Sequence, residues 1–389
     1  MQITVAIDAR VPDMGLGGVQ QVIRSLATSF DESNARDIKR VWIVYRNSNW
    51  WRNLFPIGDQ IIEVNPPFGR FSMFVSRTSP QIISLLFPIY RLIFKESPTF
   101  DQTLTEYGVD FVHLPFQDGL ETNFPTIYHP HDFQHVYFPS YFNWVQLYHR
   151  NYQWKRKAVN ATIVMAASEI VKEDIINNWG IPSSKIRVEP IPPPQRTLTS
   201  RSDWHFHDAA YIVYPAVFWK HKNHANLVKA LAILNDCGTP ITCYFAGASG
   251  PELKSIVRLV DKLGIANNII FLGHVPDKDY GELINGAQLL VIPSVFEAHS
   301  LTIWEAQMFN VPIVCSDIPM FRNQVIENAS FFDPEEPSSI ASVILSALQS
   351  HGARERINQE AYTFLSSQVR RRFAEGINSI YRELKQELS

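Results

Sequence analysis

Two glutamates, Glu297 and Glu305, stand eight positions apart in SVFEAHSLTIWEAQ (294–307), between the apolar runs AQLLVIP and FNVPIVCSD. Both runs read as buried β-strands. The strand QLLVIPS ends at Ser294, and a helix is expected to begin near Ser300 or Leu301. Its first-turn amides, on Ser300, Leu301 and Thr302, form a donor set suited to phosphate, by hydrogen bonding and by the helix dipole. Glu305, about one turn further in, would be repelled by a phosphate beside it unless something neutral stood between them. A ribose diol fits that place, because two vicinal hydroxyls can donate to one carboxylate. Glu297, at the strand end, would then face the group at the other end of a diphosphate, and a sugar suits it. On spacing alone a solvated helix face accounts for the two carboxylates as well.

A counter-charge comes from YPAVFWKHKNHANLVKAL (214–231), which runs from a strand into a helix with Lys220 and Lys222 at the junction. A lysine there can neutralise a leaving diphosphate as a point charge; an ordinary surface lysine is the plainer alternative. His129-Pro-His131 and His205-Phe-His207 have the i, i+2 spacing that puts two rings on one strand face, but no carboxylate and histidine set with ligand spacing accompanies them. A metal-dependent hydrolase is therefore disfavoured, and no metal site is expected. GLGGVQ, after the first strand, half resembles a dinucleotide fingerprint. It lacks the third glycine, and the next β run, VWIVYRN, ends without an acid to hold a ribose, which argues against a nicotinamide oxidoreductase.

The elements that must position these residues come in two sets. ITVAIDA, VWIVY, DFVHLPF, TIYHPHD, ATIVMAAS and IRVEPIP alternate with helical patterns, as in a doubly wound α/β domain with a mostly parallel sheet. PIPPPQRTLTSRSDWHFHD (190–208) breaks the pattern and marks a boundary. The alternation then restarts with YIVYPAV, ITCYFAG, IIFLGHV, QLLVIPS, PIVCSD and SFFDP. Two Rossmann-like domains facing across a cleft follow, with the ligand expected at the carboxyl ends of the strands. The boundaries are 1–195, a linker at 196–208, 209–365, and a C-terminal helix at 366–389. That helix is amphipathic, with Phe373, Ile377, Ile380, Tyr381 and Leu384 near one face; return onto the N-terminal domain is one packing open to it.

The 389 residues are 46% hydrophobic and 19% charged, with a net charge of -3, so bulk charge indicates neither nucleic acid nor a strongly acidic partner. The three cysteines, Cys237, Cys243 and Cys315, form no CxxC pair, which fits a reducing cytoplasm. MQITVAIDAR carries an acid and no basic n-region, and reads as a strand rather than a signal peptide. Residues 36–95 hold nine Lys or Arg against three Asp or Glu, interleaved with aromatics. The part at 66–95 is the candidate for peripheral contact with an anionic membrane on the cytoplasmic face; a core helix with solvated charges explains it as well.

The order strand, P-S-x-x-E, seven residues, E-A, then a P-I-V strand resembles the E-x7-E signature of family-4 glycosyltransferases of the GT-B fold. WKHKNH (219–224), AGASGPE (246–252), FLGHV (271–275), AASEIVKEDI (166–175), PHDFQH (130–135) and GLGGVQQ (15–21) sit where that family has comparable elements, so the likeness spans nearly the whole chain. The resemblance implies a role for each matched position. Glu305 would hold the ribose and Glu297 the transferred sugar. Ser300, Leu301 and Thr302 would meet the diphosphate, and Lys222 would stabilise it. Gly17 and Gly18 would belong to the glycine loop that closes on the donor phosphates, and His131 would stand near the reacting sugar. The Gly-Arg-Leu that the family often has before its lysine, with the arginine on the diphosphate, is replaced here by Ala216-Val217-Phe218, a loss for which Lys220 is the candidate compensation. Where the family commonly has E-G-F-G, this chain reads Glu297-Ala298-His299-Ser300, which leaves His299 without a role.

What the resemblance implies is a retaining hexosyltransferase that needs no metal and no cofactor. It would move a sugar from a nucleotide-diphosphate sugar to a hydroxyl of a glycan or lipid-linked acceptor, in polysaccharide or glycolipid assembly. The N-terminal domain would bind the acceptor and the C-terminal domain the donor. Lysine and helix amides aimed at the leaving group would carry the electrostatic work, with front-face substitution ranked above a covalent carboxylate intermediate. A non-catalytic sugar-nucleotide or glycan-binding protein of the same fold is the alternative, favoured by the lost Gly-Arg pair and opposed by the presence of Glu297, Glu305 and Lys222.

Overall fold

The structure is a computed structural model. It describes residues 2–11, 17–46, 48–65, 98–196, 198, 210–325, 329–350 and 357–389. The chain divides into two compact units, Met1–Pro194 with Ser367–Ser389, and Gln195–Ser366.

In the first unit the strands are β1 (Ile3–Asp8), β2 (Ile38–Tyr45), β3 (Gln60–Val64), β4 (Phe111–Leu114), β5 (Thr126–Tyr128), β6 (Ile163–Ala166) and β7 (Ile186–Val188). They form a sheet in the order β3-β2-β1-β4-β5-β6-β7. Every pairing is parallel. Central strands read as apolar runs because both faces are covered; Val5, Ala6 and Ile7 of β1 are fully buried. The sequence reading missed β3. It is an edge strand, QIIEV, in which only Ile62 is buried, so it has no continuous apolar run to betray it.

The second unit contains β8 (Tyr211–Pro215), β9 (Thr242–Ala246), β10 (Ile269–Gly273), β11 (Leu289–Ile292), β12 (Ile313–Ser316) and β13 (Ala329–Phe332). Their order is β10-β9-β8-β11-β12-β13, again wholly parallel. In each sheet the order reverses beside its first strand, between β1 and β4 in one and between β8 and β11 in the other. Such a switch point splays the connections apart and opens a crevice at the carboxyl ends of the strands.

The helices that bear on function are α1 (Gly17–Asp31), α2 (His224–Asp236), α3 (Leu301–Met308) and α4 (Gln359–Glu387). The last starts in the second unit and ends in the first. There Phe373, Ile377, Ile380, Tyr381 and Leu384 are all buried. Its charged side fastens to the same unit through Arg370–Glu32 at 2.9 Å, Arg382–Asp37 at 2.7 Å and Lys385–Asp110 at 2.7 Å. Among the described residues no helix is long and apolar enough to cross a membrane. The proposed membrane-contact segment, 66–95, lies outside the described residues.

Candidate active site

Lys222 and Glu297 come from the two strands that flank the switch point of the second sheet. β8 leads to a 3-10 turn at Lys220–Lys222, and β11 leads to the loop carrying Glu297. Three devices pin turn to loop. The Val295 amide donates to the His221 carbonyl at 2.9 Å. The Tyr214 hydroxyl lies 2.8 Å from the Lys222 carbonyl and 3.0 Å from Ser294 Oγ. Asn223 adopts a left-handed conformation, φ 57°, and its side-chain amide donates to the carbonyls of Pro293 and Pro334 at 3.0 and 2.7 Å. Asparagine tolerates that backbone better than most residues. The result is an ion pair: Lys222 Nζ stands 2.5 Å from Glu297 Oε1, with the side chains 22% and 11% exposed. Burial and the nearby Glu297 charge push the Tyr214 phenol well above its ordinary pKa, so it remains a donor. Lys220 is exposed on the same turn.

Close packing behind the turn needs glycine. A Cβ on Gly247 would stand 2.2 Å from the Ala216 carbonyl oxygen, and one on Gly250 would stand 2.5 Å from that of Phe218. The AGASG run is thus what lets the loop after β9 lie against Ala216–Phe218.

Helix α3 begins where the sequence places it, with Ser300 as N-cap. The Ser300 amide, however, is not an open donor. Gln324 Oε1 accepts from it at 3.0 Å, while Gln324 Nε2 donates to the Ser300 carbonyl at 2.5 Å. Gln324 thus takes both the amide and the carbonyl of Ser300, so the expected three-amide set contracts to Leu301 and Thr302, first-turn positions to which the helix itself offers no acceptor.

Glu305 also differs from an open carboxylate. It is 2% exposed, and its Oε1 accepts from Arg196 Nε at 2.8 Å and Nη2 at 2.7 Å, while Oε2 accepts from the Tyr280 hydroxyl at 2.9 Å. Arg196 continues to Asp277 at 2.7 Å and lies 4.5 Å over the Tyr280 ring. A carboxylate has about four acceptor sites, so a diol arriving here finds three already used unless a donor gives way. Of the expected linker, 196–208, only Arg196 and Leu198 are among the described residues, and Arg196 is buried in the second unit. Sequence reading missed Arg196 because a lone arginine among prolines has no periodicity. Tyr280, Tyr214 and Gln324 likewise carry no motif, whereas Asn223 lies inside WKHKNH, where its left-handed turn was a legible signal.

Gly17, Gly18 and His131 belong to the first unit. Residues 12–16 lie outside the described residues, and Gly17 and Gly18 form the first turn of α1; a Cβ on Gly18 would meet nothing within 4 Å. His131 is left-handed, φ 58°, and its Nε2 is 2.7 Å from the Pro115 carbonyl. A carbonyl only accepts, so Nε2 carries the hydrogen and Nδ1 is left as the acceptor. Burial lowers the His131 pKa. His129, two residues earlier, pairs with His113 at 2.8 Å. No group of three or more His, Cys, Asp or Glu that could hold a metal occurs among the described residues; His205 and His207 lie outside them.

Residues 16–192 match the family described as Glycosyltransferase Family 4, and residues 197–364 match Glycosyl transferases group 1. The chain is a family-4 glycosyltransferase. The resemblance read from the E-x7-E order therefore holds along both units. This family-4 chain is 26% identical over 205 residues to O-antigen chain mannosyltransferase B of Escherichia coli, covering 50% of this chain and 54% of that protein. It is 25% identical over 231 residues to O-antigen chain mannosyltransferase RfbU of Salmonella typhimurium, covering 59% and 62%. The chain thus spans less than two thirds of the length of these curated relatives. In fold, it is similar to sucrose-phosphate synthase from Thermosynechococcus elongatus, with a TM-score of 0.72, 16% identity, and coverage of 99% of this chain and 100% of that one. The two Rossmann-like α/β domains are those of the GT-B fold.

Proposed function

We propose that this family-4 glycosyltransferase moves a hexosyl group, with retention, from a nucleoside diphosphate sugar to a hydroxyl of a glycan or lipid-linked acceptor in polysaccharide or glycolipid assembly. The observation that carries the reading is the Lys222–Glu297 pair at the switch point, 2.5 Å apart and open to solvent on its edge. Breaking the bond between an anomeric carbon and a diphosphate puts negative charge on the leaving oxygen. A lysine and the amides of Leu301 and Thr302 oppose that charge without a metal. Glu297 accepts hydrogen bonds from the sugar, and Glu305 takes a ribose hydroxyl on the acceptor site that Arg196 and Tyr280 leave over. In this reading Gly17, Gly18 and Lys220 assist at the phosphates, His131 lies at the reacting sugar, the first unit receives the acceptor and the second the donor. The acceptor hydroxyl loses its proton to the leaving phosphate in a front-face substitution. The names of both curated relatives support a mannosyl donor as the first to try.

The test is a panel of nucleoside diphosphate sugars, GDP-mannose and UDP-glucose among them, assayed for hydrolysis and for transfer to lipid-linked glycans, with and without EDTA. Turnover of at least one donor, insensitive to chelator, is expected. Binding without turnover of any donor would favour a non-catalytic sugar-nucleotide protein of the same fold. Loss of activity with EDTA and rescue by manganese would overturn the metal-independent reading. Peripheral membrane contact through 66–95 predicts co-sedimentation with anionic vesicles at low salt, and its failure there would remove that part.

A further inference from the structure

The first unit holds a buried hydrogen-bonded chain that the transfer chemistry does not itself require. The Tyr381 hydroxyl, on α4, is 2.6 Å from His113 Nδ1, and His113 Nε2 is 2.8 Å from His129 Nε2. His113 sits on β4, and His129 follows β5, stacked on His113 with ring centroids 4.9 Å apart. Tyr381 and His113 are fully buried and His129 nearly so.

Neutral imidazole has one N–H and one lone pair, so the contact between the two rings works in one direction only. Burial drives the His113 pKa to about 3 and His129 well below the ordinary value, leaving both rings neutral. Burial also pushes the Tyr381 phenol up, so it keeps its hydrogen. A buried hydroxyl without an acceptor costs free energy, and the acceptor within reach is His113 Nδ1. His113 then carries its hydrogen on Nε2 and donates it to His129 Nε2, which leaves the His129 hydrogen on Nδ1.

We infer that Tyr381 is a positioning residue: its hydroxyl fixes the direction of the chain through His113 to His129, and so holds the His129–Pro130–His131 segment at the end of β5. This deepens the proposed function and rests on its placement of His131 at the reacting sugar. His131 needs such support, because its left-handed backbone is strained for a residue with a side chain. Three ties run from the end of β4 to this segment: His113 to His129, the His129 amide to the Leu114 carbonyl at 3.0 Å, and His131 to the Pro115 carbonyl. Without the Tyr381 hydroxyl nothing sets the polarity of the first.

Tyr381→Phe removes the hydroxyl and keeps the ring packed on Phe30 and Phe111. The full chain labelled with 15N-histidine reports tautomers through long-range 1H–15N correlations. Wild type is expected to show His113 with hydrogen on Nε2 and His129 with hydrogen on Nδ1, and Tyr381→Phe a mixture at both. Turnover of the variant should fall about fivefold, the equivalent of one ordinary hydrogen bond, with affinity for free GDP and UDP within about twofold of wild type. Hydrogen on His113 Nδ1 in wild type, unchanged tautomers in the variant, or changed tautomers with wild-type turnover would each overturn the inference. The tautomers are read without any sugar donor, so their failure is separate from failure of the transfer reading, which the donor panel tests.

Discussion

Lys222 Nζ lies 2.5 Å from Glu297 Oε1, so the lysine charge is partnered by the carboxylate that the sugar would meet. A diphosphate must compete with Glu297 for that ammonium. Replacing Glu297 by Gln removes the competitor and leaves the lysine, so affinity for free nucleoside diphosphate should rise by up to about threefold, the scale of a partly exposed pair. Calorimetric titration measures it; a tenfold loss of affinity would show that Glu297 helps bind the diphosphate.

Glu305 calls for a different expectation, because its partner is buried. Glu305→Ala removes the buried carboxylate from the Arg196 guanidinium, which is 7% exposed and keeps its contacts with Asp277 and the Tyr280 ring. Breaking a buried pair on one side costs about 3–5 kcal/mol, to be seen as a lowered denaturant midpoint. Arg196→Met combined with Glu305→Leu should recover most of it. Glu305→Gln keeps the shape and should weaken free nucleotide by about 1.5–3 kcal/mol if the carboxylate holds a ribose hydroxyl.

Acid should destabilise both units. Burial lowers His113 and His224 to about 3 and His135 to about 4. Unfolded, each binds a proton below its ordinary value of 6.5. Between 6.5 and those lower values the unfolded state holds more protons, so stability falls as pH falls, by about 1.4 kcal/mol per pH unit for each histidine. The loss is complete for each group once pH passes below its folded value. Unfolding free energies measured between pH 7 and 4 check it; a flat profile would contradict neutral buried rings.

The glycines behind the turn connect packing to turnover. Gly247→Ala places a methyl 2.2 Å from the Ala216 carbonyl oxygen, against backbone that cannot rotate away. Overpacking of this kind costs about 1–3 kcal/mol. Because Ala216–Phe218 leads into the Lys222 turn, turnover should also fall by about tenfold or more well below the melting temperature. Unchanged turnover in a destabilised variant would uncouple the two.

The apolar runs of the central strands made both sheets legible, because parallel strands covered on two faces leave no polar alternation to confuse the reading. The strand-end placement of Glu297 and Lys222 and the start of α3 were legible too, since strand ends and helix starts have local signals. What hid was long-range pairing. Nothing near Arg196 in sequence announces Glu305, 109 positions on, and nothing near Ser300 announces that Gln324 will take its amide. The Tyr381–His113 contact spans 268 positions and depends on where α4 packs, which its amphipathic pattern alone does not determine.

Turnover of Glu297→Ala and Lys222→Ala, set beside their calorimetric affinities for the free nucleoside diphosphate, tests the reading of this pair most directly. Glu297→Ala should keep diphosphate affinity within about threefold and lose turnover by an order of magnitude or more, because the free nucleotide has no sugar for it to touch. Lys222→Ala should lose both. Wild-type turnover in either variant, or an equal loss of nucleotide affinity in the two, would contradict the assignment of sugar to Glu297 and leaving group to Lys222.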